Sequence, residues 1–186
     1  ANQLISASNN QKSGFYIGKK QKLINNIKEC QEAKKKFILF GLSFEILDFA
    51  EKSNLNLDGG IVIQTGGNKR KQNYITQEEL NKKLQSIFNI DTICSEYGMA
   101  ELLSQSYYKN HLFKTPPWKK ILIRDKTNPI KIIGDNKRGC INVIDLANIY
   151  SCGFIATNDL GQKTSQGFSI IGRNQNATQK GCNLMI

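Results

Sequence analysis

The sequence lacks a long hydrophobic run, and this absence excludes one class of protein. A membrane-spanning helix requires about 20 predominantly apolar residues. The most apolar segment, residues 37–50, is interrupted by Gly41, Ser43, Glu45 and Asp48. We therefore expect no transmembrane helix.

Metal-ligating side chains are also scarce. His111 is the single histidine, and none of the five cysteines forms a Cys-x-x-Cys pair, so the spacing of a structural zinc site is missing. An odd number of cysteines without a secretory signal peptide favours reduced thiols. This combination predicts a cytoplasmic protein without a structural metal.

Arginine is rare although the chain is strongly basic. Only four of the 26 basic residues are arginine, and the 22 lysines occur with 24 isoleucines and 20 asparagines, so the net charge of +11 reflects a general compositional bias. The densest basic runs, residues 34–36 and 69–71, are not interleaved with the aromatic residues of a single-strand binding surface. The charge favours solvated surface over a nucleic-acid site, although a basic module associated with nucleic acid remains an alternative.

The first part of the chain alternates helix and strand patterns. Its first 13 residues are rich in Asn, Ser and Gln, and we expect them to be frayed. Apolar spacing and capping residues then predict helices over residues 17–35, from Ser43 to about Lys52, and after a capping box that begins at Thr76. Short apolar runs predict strands, buried on both faces, over residues 37–40 and 59–65, followed by a short strand at 91–95. This alternation predicts an α/β fold with a parallel sheet flanked by helices.

The pattern changes after Pro116-Pro117. Short strand-like segments follow at residues 120–124, 139–144, 153–157 and 168–171, separated by Gly or Asn turns. We therefore expect two parts, an α/β part over residues 1–115 and a small β-rich subdomain with a C-terminal tail over residues 116–186.

Three segments carry residues suited to chemistry: 95–101, 157–159 and 171–173. The first follows directly on the end of a predicted strand, where ligands of open α/β sheets bind. Tyr97 offers an aromatic face, Gly98 permits close approach of the backbone, and the carboxylate of Glu101 could hold Mg²⁺. An ordinary exposed loop would explain this segment equally well by itself.

The order of these features is more specific than any one of them. Gly66-Gly67 follows one strand, the Tyr97 loop follows the next, and Asp159 and Gly172-Arg173 follow later. In this order the sequence resembles the adenylate-forming superfamily, and within it the acyl-protein synthetase family that activates long-chain fatty acids in bioluminescent bacteria. Phenylacetate–coenzyme A ligase is a more distant likeness. The resemblance runs from about Leu39 to the C-terminus and is most specific at residues 96–101, 167–173 and 181–185.

The resemblance implies a set of site residues and two cofactors, ATP and Mg²⁺. Tyr97 would stack on adenine, and Glu101 would bind the magnesium on the triphosphate as a catalytic residue. The remaining nucleotide-binding residues would be Gly66, Gly67, Gly98, Asp159 and Arg173, the last two holding the ribose hydroxyls. From the residues alone, Asp159 could equally be a turn residue and Arg173 an ordinary surface arginine.

The resemblance also implies a role for the C-terminal tail. A cysteine near this end receives the acyl group in the family, and Cys182 stands in the matching Gly-Cys-Asn-Leu-Met context. A stray cysteine docked by its apolar neighbours is the alternative.

The chain departs from the family pattern in two ways. Ala100 stands where the family usually has threonine, and the family's phosphate loop, which belongs upstream of residue 1, is missing, so we expect the C-terminal half of a longer enzyme, inactive alone. The mobile C-terminal domain of full-length acyl-coenzyme A synthetases is also missing, which favours the acyl-protein synthetases because they are themselves short at that end. The complete enzyme would convert a long-chain fatty acid and ATP to acyl-AMP and transfer the acyl group to a cysteine, with an acyl reductase or acyl carrier as partner. The rival hypothesis is a non-catalytic nucleotide-binding or basic nucleic-acid-associated module.

Overall fold

The structure, a computed structural model, describes residues 2–66, 77–109 and 111–174. The chain divides into two compact units, residues 1–93 and 94–186. Each unit has its own hydrophobic core. Within the described residues, no helix is both long enough and apolar enough to cross a bilayer.

The first unit alternates helices with two parallel strands. Its elements are α1 (Asn2–Ala7), α2 (Lys20–Glu32), β1 (Phe37–Leu42), α3 (Ser43–Ser53), β2 (Gly60–Thr65) and α4 (Gln77–Phe88). The three longer helices match the predicted ones to within a few residues, whereas α1 forms in the segment expected to be frayed. The Thr76 cap predicted for α4 lies outside the described residues.

The two strands of the first unit bury one face rather than two. β1 and β2 pair in parallel, with Leu39 opposite Val62 and Ile38 opposite Ile61. Val62 is fully buried in the core with residues of α3 and α4, and Leu39 packs against that core. Ile38 and Ile61 point to the opposite face and are 63% and 43% exposed. The prediction of strands buried on both faces is therefore wrong for this chain, because a continuous apolar run does not reveal how many layers cover it.

Ser43 begins α3 but does not cap it through its side chain. Leu42 occupies the cap position, and no side-chain hydrogen bond caps the helix. The Ser43 hydroxyl instead donates to the carbonyls of Thr65 and Gly66, at 3.2 and 3.0 Å. The predicted cap thus fastens the end of β2 to the start of α3.

The second unit is an antiparallel sheet. Its strands are β3 (Ile93–Tyr97), β4 (Ser106–Lys109), β5 (Leu112–Lys114), β6 (Lys119–Arg124), β7 (Ile132–Ile133), β8 (Arg138–Asp145), β9 (Phe154–Thr164) and β10 (Gly167–Arg173). They lie in the order β3-β4-β5-β10-β9-β8-β6-β7. The core on one face of this sheet is built around Phe113, Ile141, Val143 and Phe168.

The predicted fold class is confirmed: a helix-flanked parallel pair is followed by a β-rich part. The compact units, however, divide earlier than the predicted boundary at residue 115. β4 and β5 precede Pro116, yet they pair with β3 and β10 of the antiparallel sheet. Strand pairing over long sequence separation, which local patterns do not reveal, decides where these strands belong.

Candidate functional site

Tyr97, at the end of β3, is held by the core of the second unit. Its ring is 9% exposed and packs edge-on against Phe113 and Phe168, at centroid distances of 6.0 and 5.7 Å. Its hydroxyl donates a hydrogen bond of 2.8 Å to Oδ2 of Asp159. Burial and the neighbouring Asp159 carboxylate raise the pKa of Tyr97, so the phenol stays protonated and acts as a donor near neutral pH.

Arg173 completes this cluster through the register of β9 and β10. Gly167 to Ile170 pair in one register, and a β-bulge before Gly172 shifts the pairing by one residue, which puts Arg173 directly opposite Asp159. A one-residue slip in a strand moves side chains to the other face of a sheet. The bulge therefore brings the two side chains to the same face, where Arg173 Nε lies 3.1 Å from Asp159 Oδ1 as an ion pair.

Thr157 fixes the strand that carries Asp159. Its hydroxyl donates to the carbonyl of Ile141 at 2.8 Å and accepts from the backbone N–H of Asp159 at 3.1 Å. Arg124 donates to the Thr157 carbonyl at 2.8 Å. Asp159 is thus oriented by its own backbone as well as by Tyr97 and Arg173.

A buried lysine lies against the Tyr97 ring. Lys119 is 3% exposed, and its Nζ lies 5.7 Å from the centre of that ring. Nζ also donates to the carbonyl of Ser104 at 2.8 Å. Burial lowers the pKa of Lys119, while the charges of Asp145 and Glu96 oppose the shift. The cation–π contact and the hydrogen bond connect Tyr97 to the loop that follows it.

Glu101 lies in the loop between β3 and β4 and does not join the Tyr97 cluster. Its side chain is exposed, while its backbone carbonyl accepts a 2.6 Å hydrogen bond from Asn148. Earlier in the loop, a Cβ atom on Gly98 would lie 3.2 Å from Glu96 Oε1 and 3.3 Å from Gln105 Cγ, so a larger residue would require these two side chains to shift slightly.

The described residues fit Mg²⁺ only with ligands from a bound substrate. Nowhere in the described ranges do three His, Cys, Asp or Glu side chains come together as a metal site would require. Mg²⁺ is commonly held by one or two carboxylates together with substrate phosphates and water. The exposed carboxylate of Glu101 could supply the protein ligand of such a site.

Three predicted site residues remain, Gly66, Gly67 and Cys182. Gly66 belongs to the first unit, where it follows β2 with φ +77° and its carbonyl accepts from Ser43. Gly67 and Cys182 lie outside the described residues, as does the tail motif at residues 181–185.

Sequence reasoning missed the residues that hold the Glu101 loop, namely Ser104, Lys119, Asp145 and Asn148. Asp145 accepts two hydrogen bonds from Ser104, from its backbone N–H at 2.9 Å and its hydroxyl at 2.7 Å. Trp118 donates to the same hydroxyl at 2.8 Å. In the sequence, Asp and Asn after an apolar strand indicate only a turn, and their partners are more than 40 residues away.

A comparison with known protein families gives a match over most of the chain. The sequence profile of the family described as acyl-protein synthetase, LuxE, matches residues 10–186. This chain belongs to the acyl-protein synthetase family. A comparison with curated proteins found no match.

Solved structures similar to this acyl-protein synthetase family member are adenylate-forming enzymes. ATP-bound MatB from Rhodopseudomonas palustris is 15% identical with a TM-score of 0.61, over 83% of this chain and 33% of MatB. The fatty acyl-adenylate ligases from E. coli and L. pneumophila give 14% identity and a TM-score of 0.54, over 85% of this chain and 37% of theirs. The luciferase-like enzyme of the mealworm Zophobas morio gives 18% identity and a TM-score of 0.54, over 85% of this chain and 41% of that enzyme. The chain thus spans about a third of the length of such structures, and at these identities the likeness establishes the fold.

Proposed function

We propose that this chain is the nucleotide-binding part of an acyl-activating enzyme, which forms acyl-AMP from a long-chain fatty acid and ATP. The observation that carries this proposal is the Tyr97–Asp159–Arg173 cluster, in a chain that belongs to the acyl-protein synthetase family. A carboxylate that is partly buried, oriented by three other groups and still 18% exposed is suited to accept hydrogen bonds from a diol.

Each member of the cluster has a proposed task. Asp159 accepts from the ribose hydroxyls, and the guanidinium of Arg173 pairs with the Asp159 carboxylate and donates to ribose or phosphate oxygens. Tyr97 contacts adenine with the small part of its ring that is exposed, while its hydroxyl keeps Asp159 in place. Gly66, Gly67 and Gly98 allow the backbone to approach the nucleotide.

The adenylation step depends mainly on positioning and on charge neutralisation. A fatty acid carboxylate oxygen attacks the α-phosphorus of ATP, and the bond to pyrophosphate breaks. We propose that Glu101 binds the Mg²⁺ that neutralises the phosphate charge. Because the chain spans about a third of the related structures, we propose that it binds nucleotide by itself but does not complete this step.

Titration calorimetry with AMP tests the nucleotide site. We expect the chain to bind AMP with a Kd near 1 mM, or about −4 kcal/mol. Asp159→Asn keeps an acceptor for Tyr97 but removes the charge, and we expect it to weaken binding by about tenfold, since hydrogen bonds to charged groups contribute roughly 1.5–3 kcal/mol. Asp135→Asn is the matched control, because Asp135 pairs with Lys163 at 2.7 Å on the surface of the same unit. No heat with AMP, or equal weakening in both variants, would remove the proposal.

The acyl group, in our proposal, passes next to Cys182. The thiolate attacks the acyl carbon of acyl-AMP, AMP leaves, and the resulting thioester can be handed to an acyl reductase or acyl carrier. The uncut protein supplied with ATP, Mg²⁺ and a radiolabelled fatty acid should acquire a label that hydroxylamine releases. Retention of that label in Cys182→Ser, or its mapping to Cys30, Cys94, Cys140 or Cys152, would contradict this role.

A further inference from the structure

The segment that carries Glu101 is fastened to the turn after β8 by its backbone. Asn148, 4% exposed, donates through Nδ2 to the Glu101 carbonyl at 2.6 Å and accepts at Oδ1 from the Leu103 N–H at 2.9 Å. Asp145, fully buried, binds the next residue, Ser104. Glu101, Leu103 and Ser104 are therefore all hydrogen-bonded to the turn that contains Asp145 and Asn148.

The partners of Asn148 determine the orientation of its amide. Nδ2 faces two carbonyls, those of Glu101 and Cys152, the latter at 3.2 Å, while Oδ1 faces the N–H of Leu103. A flipped amide would oppose two acceptors with an oxygen and a donor with an NH₂ group. Asn148 is thus the side chain that suits all three partners in a buried position.

Packing alone does not fix this segment. Ala100 and Glu101 are exposed and Leu103 is 66% exposed, whereas Leu102 reaches the core at 4% exposure. The path of the backbone here therefore depends on a few polar contacts and one anchor: the bonds to Asn148 and Asp145, the bond from the Leu102 N–H to the Met99 carbonyl at 3.1 Å, and the buried Leu102 side chain. Among these, the bond from Asn148 is made to Glu101 itself. A loop with so few apolar contacts opens readily when such a bond is lost.

We propose that Asn148 is a positioning residue that sets the place of the Glu101 carboxylate, and so the affinity for a magnesium-bound triphosphate. This inference rests on the proposed function. It separates two parts of the nucleotide site: the Tyr97–Asp159–Arg173 cluster for the nucleoside, and the Asn148–Glu101 pair for the metal-bound phosphates. A role in folding alone would not distinguish between these ligands.

The test measures the Kd of AMP without metal and of ATP with and without Mg²⁺, in the whole chain. Asn148→Ala should leave the Kd of AMP within about twofold, because Asn148 does not contact the cluster, and should remove most of the Mg²⁺-dependent gain in ATP affinity, a loss of about tenfold. Glu101→Gln should lose the same gain. The double variant Asn148→Ala/Glu101→Gln should lose no more than Glu101→Gln alone.

Two further variants test whether a loss of affinity is specific to Asn148 and cover the case in which Asn148→Ala does not fold. Asn128→Ala is the control variant, because Oδ1 of Asn128 also accepts a hydrogen bond from a loop N–H of this unit, that of Ile130 at 3.2 Å. This variant should leave all three affinities unchanged. Asn148→Ser removes the amide that donates to the Glu101 carbonyl but keeps a small neutral polar side chain, so it buries no charge. It should reproduce the loss of Mg²⁺ dependence even where Asn148→Ala fails to fold.

The possible results separate this inference from the proposed function. A folded Asn148 variant with an undiminished Mg²⁺ effect, or with equal losses for AMP and ATP, overturns the positioning role alone. Additive losses in the double variant overturn it as well. No binding of AMP by the unaltered chain overturns the proposed function, and the inference with it.

Discussion

Asp159 is the residue on which the other members of the site converge. It accepts from Tyr97 on one carboxylate oxygen, pairs with Arg173 on the other, and has its backbone held by Thr157. A half-buried carboxylate with both oxygens engaged has one favoured orientation. Such an acceptor binds a diol without first having to be ordered.

The hydroxyl of Tyr97 can be tested without disturbing the aromatic core. Tyr97→Phe keeps the ring contacts with Phe113 and Phe168 but removes the 2.8 Å bond to Asp159. We expect the free energy of unfolding to fall by about 1–2 kcal/mol, because a partly buried carboxylate oxygen loses its donor. Urea unfolding measures this loss.

Tyr108→Phe provides the matched control for that prediction. The Tyr108 ring also packs against Phe113, with the centroids 5.2 Å apart, but its hydroxyl is not the donor to Asp159. An equal loss of stability in both variants would mean that the Tyr97 hydroxyl has no special role at this site.

At this scale the sequence predicted the residues of the cluster but not those around it. Tyr97, Asp159 and Arg173 were recognised by their order along the chain, although Asp159, expected after a strand that ends at Thr157, lies in the middle of β9. Lys119, by contrast, lies in one of several lysine pairs, Lys119-Lys120, and only the fold reveals that one of the two is buried beneath Tyr97. Strand alternation puts Lys119 on the same face as Ile121 and Ile123, but it does not show that this end of the strand is covered or that Nζ reaches the Tyr97 ring.

At the scale of elements, the bulge in β10 decides where Arg173 points. Insertion of one alanine between Gly172 and Arg173 would move the arginine one position further along the strand, opposite Asn158 in the register that follows the bulge. The arginine would then lie on the other face of the sheet. We expect the insertion to weaken AMP binding as much as Arg173→Ala does, measured by calorimetry.

Ile171→Ala separates the bulge from the side chain that occupies it. Ile171 is 49% exposed, so its truncation keeps the backbone arrangement and removes little buried surface. AMP affinity should stay within about twofold of the unaltered chain, because Arg173 stays opposite Asp159. An insertion variant that binds AMP normally would show that the register does not matter.

The turn after β8 should make the second unit sensitive to acid. Burial acts to raise the pKa of Asp145, but hydrogen bonds from Ser104 and Ala147 and the charge of Lys119 outweigh it, so the pKa lies below its ordinary value of 3.8. Such a carboxylate stabilises the fold above pH 3.8, and this contribution disappears as the pH falls through the folded-state pKa.

Unfolding at a series of pH values measures that contribution. Asp145→Asn should lower the free energy of unfolding by about 1–3 kcal/mol near neutral pH. It should also reduce the further loss of stability below about pH 4. Asp135→Asn, at an exposed loop position, should leave the acid dependence unchanged. Equal acid dependence in the Asp145 variant and the unaltered chain would contradict the assignment.

On the scale of the whole molecule, local patterns predicted the class of fold but not its divisions. The alternation of helices with apolar strands gave the parallel pair and its helices, since both follow from periods of a few residues. The predicted boundary at residue 115 separated β5 from its partner β10, because the two strands lie more than 50 residues apart in the sequence. The exposure of Ile38 and Ile61 likewise depends on what covers the sheet, which the strand sequence does not specify.

The net charge of +11 is a property of the whole molecule. The salt dependence of ligand affinity shows whether this charge contributes to binding a specific partner. If the charge is solvated surface, a short fluorescent oligonucleotide should bind weakly and lose at least tenfold in affinity between about 50 and 200 mM salt, because counterion release drives such binding. AMP affinity should change by less than about threefold, since it depends on the few polar groups at Asp159.

Replacing the exposed Lys34, Lys35 and Lys36 together by glutamine sharpens the comparison. This change should weaken oligonucleotide binding and reduce its salt dependence, because each neutralised phosphate contact releases counterions. The same variant should bind AMP unchanged, since Tyr97, Asp159 and Arg173 are untouched. Anisotropy measures the first and calorimetry the second. Tight oligonucleotide binding that persists at 200 mM salt and is displaced by AMP would instead favour a nucleic-acid-associated module over an acyl-activating enzyme.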